Sequence, residues 1–274
     1  MSSPLLSIRN LKKTYDKHKT YALNGIDIEF DAGEFVVVIG PSGAGKSTFI
    51  RCINRMIDSS AGEIVFDGVH MEQIKGRSLK MQRANIGMIF QHYNLIDRVN
   101  VIKNVLYGRL GKMSLFRSTL GLYSAEDKRE AYDLLKKVGL EEHIYKRASA
   151  LSGGQMQRVG ICRAIVQQPK LLLADEPIAS LDPQSANVVM DQIKEITTER
   201  NLTCIVNLHQ VDFAKKYASR IVGIKDGLVV FDGKPTELTE DMIAHIYKGK
   251  EEQMTLASQQ HQVELSDKEV SSYA

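Results

Sequence analysis

The sequence predicts an α/β fold built on a largely parallel sheet, with antiparallel strands at its start and a helical insert in its middle. Three observations carry this. Phe35-Val36-Val37-Val38-Ile39 is an unbroken apolar run, followed by a glycine-rich turn and a helix from Ser47 to about Met56. Such a run fits a strand buried on both faces. Leu171–Ala174 is a second apolar strand, ending in two carboxylates, and between Gln91 and Ser152 helical spacing replaces strand alternation.

Leu5–Ile8 and Gly25–Phe30, with Ile26, Ile28 and Phe30 alternating, read as antiparallel strands, and Glu63–Phe66 with Asp67-Gly68 as a strand and turn. In the insert, Ser124 and Asp127 form a capping box. Ala131, Leu134, Leu135 and Val138 mark one apolar helix face, and Gly139 stops it. A helix follows over Gly153–Gln167 until Pro169, and strands recur at Thr203–Leu208, Arg220–Lys225 and Leu228–Phe231. Asp226-Gly227 joins the last two as a hairpin. The organisation expected is one domain over residues 1–250, with its helical part at about 92–165, and a polar tail over 251–274. Deleting residues 252–274 is expected to leave the melting temperature nearly unchanged, since the tail has no apolar face to bury.

With 43% hydrophobic and 25% charged residues, the chain can bury a core and is not disordered throughout. Its net charge of +3 is too mild to indicate a nucleic-acid binder. No run approaches the roughly 18 to 20 apolar residues of a membrane helix, and Met1-Ser2-Ser3-Pro4 does not open a signal peptide. We therefore expect a cytoplasmic chain in which Cys52, Cys162 and Cys204 are reduced core residues.

Gly40-Pro41-Ser42-Gly43-Ala44-Gly45-Lys46-Ser47-Thr48 fits the phosphate-loop pattern GxxxxGK[ST], with a buried strand before it and a helix after it. Glycines let backbone N–H groups converge on phosphate oxygens, and the helix N-terminus adds partial positive charge. Lys46 is expected to bridge the β- and γ-phosphates, and the Ser47 hydroxyl to ligate Mg²⁺. Asp175 and Glu176 emerge where ligands bind, at the carboxyl edge of a parallel sheet. The expectation is Asp175 in the Mg²⁺ shell and Glu176 as general base. In Leu151-Ser152-Gly153-Gly154-Gln155, Ser152 can cap the following helix and the paired glycines permit close backbone approach to a ligand.

Taken in order, Tyr15, Gly40–Thr48, Gln91, Leu151–Gln155, Asp175-Glu176, Ser180-Leu181-Asp182 and His209 resemble the ABC ATPase family over almost the whole chain. The resemblance implies a P-loop NTPase fold with a RecA-like core, an antiparallel β-subdomain and a helical insert. It implies ATP and Mg²⁺ as ligands. It also implies a head-to-tail dimer in which Ser152, Gly153, Gly154 and Gln155 of one copy meet the γ-phosphate held by the other. Tyr15, or less directly Tyr21, would stack on adenine, worth roughly 1–3 kcal/mol by analogy with other base stacking. Gln91 would reach Mg²⁺ and sense the membrane partner, Asp182 would face the second copy, and His209 would contact the γ-phosphate. Implied partners are integral membrane permease subunits and, indirectly, an extracytoplasmic solute-binding protein. The chain would then lie peripherally on the cytoplasmic face of the cell membrane.

Asp175-Glu176-Pro177-Ile178-Ala179-Ser180-Leu181-Asp182 departs from the common importer pattern. With Ile205-Val206-Asn207-Leu208-His209-Gln210-Val211-Asp212-Phe213, Asn94–Arg98 and Val105–Arg109, it is similar to the phosphonate-importer ATPase subgroup. Cargo rests on that similarity alone, with phosphite or another small anion as the alternative. Soluble relatives acting on DNA or the ribosome carry long coiled-coil inserts or paired ATPase domains. This chain has one phosphate loop and one signature, so we expect no nucleic-acid partner. A binding-only regulator would have lost Glu176 or His209, and fused exporters carry their membrane helices in the same chain.

Overall fold

The computed structural model describes residues 3–15 and 20–248, so the polar tail lies outside the described residues. Chain order runs β1 (Leu6–Thr14), β2 (Tyr21–Phe30), β3 (Phe35–Ile39), α1 (Lys46–Ile53), β4 (Ala61–Phe66), β5 (Val69–His70), α2 (Gly76–Arg83) and β6 (Ile86–Ile89). Four helices follow: α3 (Val101–Leu106), α4 (Leu115–Thr119), α5 (Ala125–Lys137) and α6 (Gly153–Val166). The remainder is β7 (Leu171–Asp175), α7 (Pro183–Glu199), β8 (Thr203–Asn207), α8 (Val211–Tyr217), β9 (Arg220–Lys225), β10 (Leu228–Gly233) and α9 (Glu240–Tyr247). None of these helices is long and apolar enough to cross a membrane.

Two sheets form. One is antiparallel, in the order β2-β1-β4-β5. The other runs β10-β9-β3-β8-β7-β6, with every pairing parallel except that of the edge strand β10. Because successive side chains point to opposite faces, β3 divides between two cores. Val37 and Ile39 pack with α3, α5, α6 and α7, whereas Val36 and Val38 pack with α1 and the antiparallel sheet.

Some boundaries differ from the sequence reading, each for a local reason. β1 continues past Ile8 to Thr14 because a bulge at Asn10, with a left-handed φ of 46°, resets the register and hides the alternation. The Asp27 carboxylate holds that turn by accepting from the Asn10 N–H at 2.9 Å. α1 stops at Ile53, short of Met56, since Arg55 adopts a left-handed φ of 52°. The expected capping box of α5 is present in both halves, and Gly139 ends the turn after it with φ 69°. β6 and α7 were not read from the sequence. Ile86-Gly87-Met88-Ile89 is too short to show a period, and α7 needs its Asp182 cap and Pro183 start to be recognised. All three cysteines are free and buried; burial pushes the Cys52 thiol up to about 11, with Cys162 and Cys204 displaced in the same direction.

Candidate functional site

Register alone assembles the site. Val38, Asn207 and Asp175 stand in one row across β3, β8 and β7, and Ile89 of β6 lies opposite Ala174. The residues one or two past the end of each strand therefore leave the sheet at a common edge. These are Gly40 from β3, His209 from β8, Glu176 from β7 and Gln91 from β6.

The Gly40–Thr48 loop needs its glycines at two places in particular. A Cβ on Gly40 would sit 2.0 Å from the Ile224 carbonyl oxygen, and one on Gly45 2.3 Å from that of Ala22. Both also have positive φ, which L side chains resist. Gly45 offers no side chain to cap α1, and a helix N-terminus opening from a glycine-rich loop favours an anion. Lys46 is buried, and its ammonium donates to the carbonyl oxygens of Gly40 at 2.7 Å and Pro41 at 3.0 Å. Tyr15 stands beside the loop's end, its hydroxyl 3.1 Å from Thr48 Oγ1 and the residue 63% exposed. Tyr21 is exposed on β2 opposite Thr14.

At the end of β7 the two acids have different surroundings. The Asp175 carboxylate is buried, accepting from the Asn207 amide at 3.1 Å on Oδ1 and from Arg51 Nε at 3.2 Å on Oδ2. Glu176 has a φ of 52°, a left-handed backbone that costs a non-glycine residue about 1–3 kcal/mol. The turn aims its Oε1 at His209 Nε2, 2.6 Å away. A carboxylate only accepts, so this ring nitrogen carries the proton. Tyr247 of α9 donates its hydroxyl to the His209 carbonyl oxygen at 3.2 Å, and burial raises the pKa of that phenol.

Gln91 is half-buried just past β6. The loop around it is tied to α6, with Gln157 donating to Phe90 O at 3.4 Å and Arg163 Nη2 to Tyr93 O at 2.8 Å. Ser152 caps α6 through a reciprocal box: its Oγ accepts from the Gln155 N–H, and Gln155 Oε1 accepts from the Ser152 N–H at 2.9 Å. A Cβ on Gly153 would lie 2.7 Å from the Tyr93 hydroxyl, and one on Gly154 3.2 Å from Ser185 Oγ. Asp182 caps α7, accepting from the Ser185 N–H at 3.0 Å, and those bonds lower its pKa. The structure thus brings the loop, Asp175, Glu176, His209 and Gln91 to one edge. Ser152–Gln155 and Asp182 instead open α6 and α7. Sequence reasoning missed Arg51, Asn207 and Tyr247. Of these Asn207 left a signal, as an amide inside an otherwise buried strand.

Residues 23–179 match the family model described as ABC transporter. The chain is 52% identical over 243 residues to a phosphonates import ATP-binding protein, PhnC 2, of Oceanobacillus iheyensis, covering 89% of this chain and 95% of the relative. It is 48% identical to the PhnC protein of Treponema denticola, covering 87% and 93%. Among solved structures, the dimeric ATP-binding cassette MJ0796 bound to ADP and Pi is 32% identical with a TM-score of 0.73, covering 84% of this chain and 98% of that one. The ADP conformation of the cassette MJ1267 is 26% identical with a TM-score of 0.77, covering 90% and 100%. The phosphate loop, the paired acids and the folded frame around them therefore have one source: this chain belongs to the ABC transporter family and is an ATP-binding cassette of the P-loop α/β fold.

Proposed function

We propose that this chain hydrolyses ATP to drive a membrane importer of phosphonate. The observation that carries hydrolysis is the Glu176–His209 pair at 2.6 Å, set at the same sheet edge as the Gly40–Thr48 loop. The phosphonate assignment is supported by the names of relatives aligned over 87–89% of the chain.

Lys46 and the N-terminus of α1 bind the β- and γ-phosphates, offering donors to oxygens that gain charge as the terminal phosphoryl group leaves. Glu176 orients the attacking water and takes its proton. His209, fixed by Glu176 on one side and by Tyr247 behind, holds the γ-phosphate. Tyr15 stacks on adenine at the exposed end of the loop. Ser47, Asp175 and Gln91 would hold Mg²⁺, which would supply charge neutralisation for the phosphate oxygens. The donor set suits a hard cation. It is all oxygen, and the two Asp175 oxygens receive donors from Asn207 and Arg51 yet keep lone pairs.

Two copies close head to tail, so that Ser152–Gln155 of one, and Asp182 with it, face the loop of the other; that solved relatives are dimeric supports the pairing of two copies. The permease subunits dock on the helical part, and the solute-binding protein acts only through them. Nucleic acid has no place in this scheme, and the chain works as a peripheral protein at the cytoplasmic membrane face.

The docking reading can be tested along Tyr93–Arg109. Val101, Val105 and Leu106 of this stretch are buried and form an ordinary core stripe, whereas Ile96 is 51% exposed and Leu95, Val99 and Ile102 are half-buried. Ile102 also lines a groove of about 900 Å³ with Tyr107, Tyr123, Tyr132 and Tyr145. Ile96→Glu and Ile102→Glu are expected to abolish phosphonate uptake in reconstituted vesicles. The isolated subunit should keep its ATPase activity, since Lys46, Glu176 and His209 are untouched. Normal uptake, or hydrolysis lost in step with uptake, would show that these side chains do not receive the permease.

A further inference from the structure

β8 is fully buried along its length, and its last residue, Asn207, is an amide where the packing would favour a branched hydrocarbon. Its Nδ2 donates to Asp175 Oδ1 at 3.1 Å, a bond that fixes the amide's orientation because a carboxylate can only accept. The Asn207 Oδ1, on the same terminal carbon as that donor, is buried and has no hydrogen-bond partner among the described residues. On the other side, Arg51 reaches Asp175 Oδ2 through Nε at 3.2 Å and Nη2 at 3.1 Å. The carboxylate is therefore clamped at both oxygens, by an amide from β8 and a guanidinium from α1.

We propose that Asn207 is a positioning residue for the magnesium site. Its N–H holds the Asp175 carboxylate in one plane for the cation bound with ATP. The inference rests on the reading of Asp175 as a magnesium-holding residue. It assigns a role to a residue that touches neither phosphate nor attacking water. An apolar residue at 207 would leave Asp175 Oδ1 unheld on that side.

The test measures binding without turnover. The purified subunit is titrated with the non-hydrolysed analogue AMP-PNP, first in EDTA and then at graded Mg²⁺. Asn207→Leu, which keeps shape and loses both polar atoms, is expected to raise the half-saturating Mg²⁺ concentration by roughly 10-fold, as outer-layer changes do elsewhere. Affinity in EDTA should stay at the wild-type value, since the phosphate loop is intact. Asn207→Thr, a good strand former that keeps a donor on a shorter arm, should shift the midpoint the same way by a smaller factor. It decides the question if the leucine variant does not fold. Asp175→Asn serves as the control. If it loses Mg²⁺ dependence while both Asn207 variants titrate like wild type, Asn207 has no part in the site and the proposal fails alone. If the Asn207 variants weaken binding equally in EDTA, their effect is general packing and the proposal fails as well. If Asp175→Asn itself titrates normally, the magnesium reading of Asp175 falls and takes this inference with it.

Discussion

Glu176→Gln is expected to lower ATP turnover by about 10²–10⁴-fold, the range a positioned general base contributes, while ATP binding persists. The amide reproduces the size of the carboxylate but cannot take the water's proton. It can still meet His209 through its carbonyl oxygen, so the 2.6 Å contact seen in the wild type survives in form. With hydrolysis blocked, bound ATP should hold two copies together, and gel filtration in ATP and Mg²⁺ should show a dimer that ADP does not support. A variant that stays monomeric at high concentration, or one that hydrolyses at the wild-type rate, would remove Glu176 from the role of base.

Lys46→Ala should act earlier in the cycle. The ammonium is the charged side chain inside the loop, and removing a single such donor from a phosphate or oxyanion site typically costs roughly 10²–10³-fold in rate. The same truncation withdraws the donor that bridges Gly40 O and Pro41 O, so the loop loses an internal strut as well as its charge. The expected pattern is loss of both turnover and ATP-induced thermal stabilisation. The two variants thus differ in kind, with Glu176→Gln stabilised by ATP and Lys46→Ala indifferent to it. Wild-type affinity together with wild-type turnover in Lys46→Ala would rule out the phosphate contact.

The parts of the molecule that were legible from sequence are those where one local rule decides. Ser124 and Asp127, or Asp226 and Gly227 with φ of 50° and 75°, announce their geometry within a few residues. The buried runs of β3, β7 and β8 were readable because a two-face strand has no alternation to misread. What escaped depended on contacts far apart in the chain. Asn207 and Asp175 are separated by 32 residues, and their bond exists only through the β7–β8 register. Arg51 reads as a solvated helix residue until the sheet sets Asp175 beside α1. Asp182 shows a different gap. The resemblance led us to expect an interface residue there, and the structure shows it holding the first turn of α7.

The left-handed backbone of Glu176 has a bearing on how variants of this protein should be screened. Every L residue at 176 inherits that conformational burden, and glycine alone escapes most of it. Glu176→Gly therefore relieves strain in the fold at the moment it destroys the chemistry. The two effects have opposite signs, and a catalytically dead cassette of this type can melt no lower than a working one. A library ranked by heat resistance or expression would tend to enrich for inactive proteins at this position. Retained strain here is a mark of a working copy.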